Sequence, residues 1–156
     1  MWDQGVGRSP QRRSTHERSD RRRVVALNAQ LVGKTYPPIA FPLEAERVAQ
    51  FAAVIGLEGD DVPPTFATAP ELAAGLRNVL ADDELGLDLS RVLHAEQEYE
   101  WRRPLTIGET LTAQTTIADI RTKGAMSFVT LHTDLRDEAR RTVVVATSTL
   151  LVRGDG

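Results

Sequence analysis

The sequence predicts an α+β fold, a long antiparallel sheet with its helices gathered on one face, and three observations predict it. The apolar period is helical between residues 44 and 84 and alternates from residue 91 onward. The links between the later alternating segments, RTKGA and RDEAR, are short and polar, which suits hairpins between consecutive strands. Helical and strand segments fall in separate runs, so the helices segregate to one side of the sheet.

In chain order, PIAFPLE (38–44) is short and β-like but interrupted by prolines. Proline donates no ladder hydrogen bond, so the segment belongs at an edge or a strand end. In EAERVAQFAAVIG (44–56), Val48, Phe51, Ala52 and Ile55 recur at i, i+3, i+4 and i+7, one apolar helical face that stops at Gly56. A polar loop, LEGDDVPP, follows. PELAAGLRNVLADDE (70–84) then sets Leu72, Leu76, Val79 and Leu80 on a shared face, with Pro70 suited to a helix start. Within RVLHAEQEYEWRR (91–103), strand parity puts Leu93, Ala95, Gln97, Tyr99 and Trp101 on a buried face. His94, Glu96, Glu98, Glu100 and Arg102 fall on the wet one. ETLTAQTTIADI, MSFVTLHTDL and TVVVATSTLLV supply three more strands rich in Val, Thr, Ile and Leu, and an antiparallel meander is expected.

At 156 residues and 41% hydrophobic the chain is one domain's worth, a size that buries roughly two-thirds of its extended-chain surface. It has no cysteine, and His16, His94 and His132 are too scattered for a metal-ligand spacing. No disulfide, cysteine nucleophile, structural metal or cofactor is therefore expected, and the composition points to the cytoplasm. No apolar run approaches the ~18 residues that span a bilayer, so no membrane partner is expected.

The net charge of −3 is unevenly divided, because residues 1–23 hold seven arginines against Asp3, Glu17 and Asp20. That segment has almost no apolar residues to offset the entropy of ordering. Residues 1–25 are read as a disordered basic extension and 26–156 as a single domain. A basic tail can bind nucleic acid, but a solvated extension is the simpler reading, and nucleic acid is set aside as a partner.

Few segments carry chemistry. VGKT at 32–35 lacks the first glycine of a phosphate-binding loop, and no GxSxG elbow is present. Asp60 and Asp61 lie beside two prolines, in a rigid functional loop or a solvated turn.

The segments VPPTFA (62–67) and LHAEQEYEWRRPLTIGE (93–109), with a β-start and helix before them, a helix between them and three strands after, resemble the MaoC-like dehydratase N-terminal domain family, also called FAS1-like dehydratases. The likeness covers residues 28–153 and is closest to the non-catalytic subunits of actinobacterial (3R)-hydroxyacyl-ACP dehydratases. It implies a hot-dog fold, a long antiparallel sheet wrapped around a central helix. Catalytic members of the wider family carry a D-x-N-P-x-H motif, whose histidine takes a proton from C2 of the acyl thioester while the aspartate handles water at C3; a positioned base contributes ~10²–10⁴-fold. Here the loop reads GDDVPPTFA. Counting from Asp60, the histidine position is Thr65; from Asp61 it is Phe66; neither can take up a proton near neutral pH.

The resemblance thus implies an acyl-chain-binding subunit with no catalytic residue of its own, paired with a catalytic MaoC-like hot-dog subunit or with itself, and acting on acyl-ACP or acyl-CoA. Thr65, Phe66, His94, Gln97, Tyr99 and Trp101 are the substrate-binding candidates. Arg102 and Arg103 are candidates for the carrier phosphate or for an interface, or for pairing with Glu98 or Glu100. Two alternatives stay open. One is a self-sufficient homodimeric dehydratase or thioesterase using His94 with Glu96 or Asp60; the other is an acyl-thioester-binding scaffold.

Overall fold

Helix α1 (Ala45–Val54) buries Val48 and Ala52, and the chain turns away from it at Gly56, where φ is +72°. A side chain would strain that left-handed conformation. The computed structural model describes residues 27–59 and 61–154; the expected extension 1–25 and Asp60 lie outside the described residues. A short 3-10 turn (Pro64–Ala67) leads directly into helix α2 (Thr68–Leu80). Pro70 falls in its first turn, where a missing N–H costs nothing.

The buried face of α2 differs from the expected one. Leu72 is 43% exposed, whereas Glu71, Ala74, Gly75 and Val79 are buried. The sheet is the cause. A Cβ built on Gly75 would stand 3.0 Å from Thr115 Oγ1, so the helix backbone approaches the strands too closely for leucine. The small residues take the contact, and Leu72 and Leu76 turn toward the sheet's far edge.

Strands β3 (Thr110–Lys123), β4 (Met126–Arg136) and β5 (Thr142–Arg153) form the expected antiparallel meander. Strand β1 (Ile39–Pro42) pairs with β3 at one edge, where its proline is tolerated. Strand β2 (Val92–Trp101) departs from the meander: it pairs with β5, giving the order β1-β3-β4-β5-β2. The link after β2 is laid across the sheet's end. Arg102 N–H bonds the Val143 carbonyl at 2.8 Å, and Gly108 N–H bonds the Leu43 carbonyl at 2.8 Å. The result is the hot-dog arrangement, five antiparallel strands curled around α2.

A second correction concerns β2. His94 pairs with Leu150 but Glu96 pairs with Thr149, so Ala95 is an extra residue in a β-bulge. The bulge reverses the parity. His94 shares the helix-facing side with Gln97, Tyr99 and Trp101, and the outer face keeps Glu96, Glu98 and Glu100.

The core has two parts beneath α2. Phe41, Leu43, Phe66, Leu111 and Leu135 meet at one end, and Val79, Leu85, Ile117, Val129 and Leu131 at the other. No described helix is long and apolar enough to cross a membrane.

Candidate functional site

Because β2 is an edge strand, α2 covers its inner face only in part, and two pockets lie along it. The first pocket, about 320 Å³, lies where the two distinctive sequence segments converge: Val62 and Pro64 from one, Trp101, Arg102, Arg103 and Leu105 from the other. The second, about 230 Å³, is walled by Leu72 and Leu76 of α2 and by Val92, Leu131 and Leu150 of the sheet, with His94 and Ser148 as its polar members. The leucines displaced from the sheet-facing side of α2 therefore make one of its walls.

A hydrogen-bonded cluster stands between the pockets. Tyr99 Oη donates to Glu71 Oε2 at 2.7 Å; having one proton, it accepts from Thr68 Oγ1, also at 2.7 Å. Ser148 Oγ donates to the other Glu71 oxygen, and the Gln97 amide oxygen lies 3.0 Å from Ser148. The Gln97 amide nitrogen reaches the Thr147 carbonyl at 3.4 Å, so this amide is satisfied within the fold. Burial raises the Tyr99 phenol well above its ordinary value; the Thr68 bond opposes this and the Glu71 carboxylate adds to it. Tyr99 is therefore a neutral donor at every physiological pH, never a base.

The sequence candidates divide among distinct roles. Trp101 and His94 line pockets, Tyr99 and Gln97 belong to the polar cluster, and Tyr99 packs on Trp101 at 6.2 Å between ring centroids. Phe66 is 1% exposed and sits edge-on to Phe41 and Phe51, at 6.4 and 5.3 Å, in the core; Thr65 beside it is exposed. Arg102 pairs with Glu100 at 2.8 Å. Arg103 forks onto Glu109, at 3.1 and 2.7 Å, and reaches Asp137 at 3.5 Å. His94 and Glu96 lie on opposite faces of the sheet, so they do not meet over one pocket.

Two residues of the cluster, Glu71 and Ser148, are not among the sequence candidates. The available signal was the small-residue stripe Ala74 and Gly75, since the residue at i−3 of Ala74 shares its face. Among the described residues, no group of three or more His, Asp or Glu is placed to hold a metal ion.

A curled antiparallel sheet wrapped on a central helix, with an apolar pocket between that helix and the strands, defines a hot-dog protein. Residues 54–146 match the family described as FAS1-like, dehydratase domain region. A UPF0336 protein of Leifsonia xyli subsp. xyli is 34% identical over 155 residues, which span 85% of this chain and 99% of that relative. The chain belongs to the FAS1-like dehydratase domain family. Among solved structures it is similar to the HadBC (3R-hydroxyacyl-ACP dehydratase) complex of Mycobacterium tuberculosis, with TM-score 0.62 and 20% identity over 78% of this chain and 96% of that one. It is also similar to the ChsH1-ChsH2 complex of the same organism, with TM-score 0.60 and 15% identity over 79% of this chain and 90% of that one. At these identities the two structures share its fold.

Proposed function

We propose that this chain is the acyl-chain-binding, non-catalytic subunit of a heterodimeric (3R)-3-hydroxyacyl thioester dehydratase in fatty-acid metabolism, acting on an ACP or CoA thioester. The observation that carries the reading is the loop GDDVPPTFA. Where catalytic relatives place an acid–base pair, this chain presents Val62 and Pro64 to a pocket shared with Trp101, and Thr65 points to solvent. A pocket without a base can hold a substrate but cannot remove its C2 proton.

Each pocket then has a task. Leu72, Leu76 and Leu150 bury methylenes of the tail, at ~0.8 kcal/mol per CH₂. His94 meets the ligand at the rim of the same pocket. The carrier end lies at that rim; Trp101 and Pro64 wall the other pocket, and Arg102 beside it, more than half exposed, is placed to give up Glu100 for a contact with the partner subunit. The catalytic subunit packs along the unpaired edge of β2 and supplies the aspartate and histidine. That HadBC and ChsH1-ChsH2 are complexes of two subunits supports such a pairing.

Hydration of trans-2-octenoyl-CoA, followed as loss of the enoyl-thioester absorbance, tests the reading. The chain alone is expected to be inactive and the mixture with a catalytic hot-dog subunit encoded beside it active. Robust activity from the chain alone would overturn the non-catalytic assignment. The bulge that turns His94 into a pocket favours one second reading, a homodimeric hydratase or thioesterase that uses this imidazole; loss of that activity in His94→Ala would establish it.

A further inference from the structure

Tyr99 occupies the boundary between the two pockets. Its ring packs at a 48° tilt on Trp101, which lines the larger pocket. Its hydroxyl donates to Glu71, and the second oxygen of Glu71 accepts from Ser148, which lines the smaller one. One unbroken series of contacts thus joins a wall of one pocket to a wall of the other, crossing from β2 to α2. Thr68 bonds the same hydroxyl, so α2 holds the ring from two positions a turn apart. Filling space does not require such a tether. Swinging the ring aside would break the bond to one oxygen of Glu71, 4% exposed, and the bond to the Thr68 hydroxyl.

Resting on the acyl-binding role proposed above, we infer that Tyr99, tethered by Glu71 and Thr68, is a partition that separates the two pockets and limits the length of tail the chain accepts. The tail fills the pocket of Leu72, Leu76 and Leu150 and stops at the polar cluster, because passing it means parting buried hydrogen bonds and laying methylenes against the groups that made them. The size of the pocket sets the limit. An apolar cavity of ~150 Å³ takes up the six carbons of benzene, so on that scale the pocket of about 230 Å³ takes up about nine.

The test is calorimetric titration of the full chain with saturated acyl-CoAs from octanoyl to palmitoyl. Each methylene entering the pocket tightens binding about fourfold. Affinity is therefore expected to climb to about ten carbons and then level. In Tyr99→Leu, which stays apolar but cannot reach Glu71, the climb continues, and palmitoyl-CoA binds at least about tenfold tighter than to the unaltered chain. Octanoyl-CoA, too short to meet the partition, keeps its affinity within about twofold. Tyr99→Phe retains the ring without its tether and falls between the two. If no acyl-CoA binds the unaltered chain, the acyl-binding role itself is overturned. If affinity rises without a break to palmitoyl-CoA in the unaltered chain, or levels at one length in all three proteins, that role stands and the partition falls. Should Tyr99→Leu lose its cooperative thermal transition, Tyr99→Phe and the profile of the unaltered chain decide the matter.

Discussion

Glu71 sits in the first turn of α2, and among the described residues its carboxyl is bonded by two hydroxyls, those of Tyr99 and Ser148. Buried hydroxyls that lose their acceptor keep the cost of leaving water. Glu71→Ala is therefore expected to destabilise the fold by about 2–3 kcal/mol, seen as a lower urea midpoint at unchanged slope. Glu71→Gln, which still offers one oxygen, should cost less than half as much. At Gly75 two effects oppose each other. Alanine would gain about 1 kcal/mol of helix propensity. Its methyl would press on Thr115 Oγ1 at 3.0 Å, an atom fixed by a 2.7 Å bond to Thr133 Oγ1. Overpacking of a held neighbour costs about 1–3 kcal/mol, so Gly75→Ala is expected to lower the melting temperature by several degrees, as scanning calorimetry would show. Residues of this kind were hidden in the sequence. A leucine stripe states hydrophobicity but not distance, and the helix–sheet spacing that rejects leucine at the sheet-facing positions is a property of the assembled layers.

At the scale of elements, the link after β2 is stapled to the β4–β5 hairpin. Arg103 forks onto Glu109 and reaches Asp137, which also accepts from the Arg141 backbone N–H at 2.9 Å and from Arg141 Nε at 3.0 Å. The Arg141 backbone bond holds the Asp137 carboxyl below its ordinary value against the effect of burial, and the Arg141 and Arg103 side chains add to it. At the C-terminal end of α2, burial raises Asp82, but bonds from Lys34 and Tyr36 outweigh it and leave this carboxyl lowered too. A carboxyl depressed in the folded state contributes stability that is complete above its unfolded pKa and lost as pH falls through its folded one. The melting temperature should therefore be level from neutral pH down to about 5 and fall below about 4. Asp137→Asn should start lower at neutral pH and show a shallower acid slope; an unchanged slope would mean that other carboxyls govern acid unfolding. The helices and the meander were legible because both rest on local period and turn chemistry. The bulge at Ala95 was not, since one inserted residue leaves the alternation of the letters intact while reversing which side faces the helix. For that reason parity assigned His94 and Leu93 (52% exposed) to the wrong faces and Gln97, Tyr99 and Trp101 to the right one.

For the molecule as a whole, the sheet ends on one side in β1, four residues long, and on the other in β2, ten residues long and paired only with β5. A long unpaired strand invites pairing, and natural proteins guard such edges with charge or bury them against a partner. Here both devices are available: Glu96, Glu98 and Glu100 give the outer face a like-charged row, while the inner face opens onto the pockets. If the catalytic subunit docks on this edge, every second amide of residues 92–101, those turned away from β5, changes from solvent-facing to hydrogen-bonded on assembly. Hydrogen exchange reads this directly. In the mixture the peptide spanning β2 should exchange at least about tenfold more slowly than in the isolated chain. Peptides from β4, already paired on both sides, should be unchanged. The measurement also separates docking from catalysis. A mixture that gains hydratase activity while β2 exchanges as before would place the partner on another surface, and the pocket between α2 and the strands would then have to be closed by this chain alone.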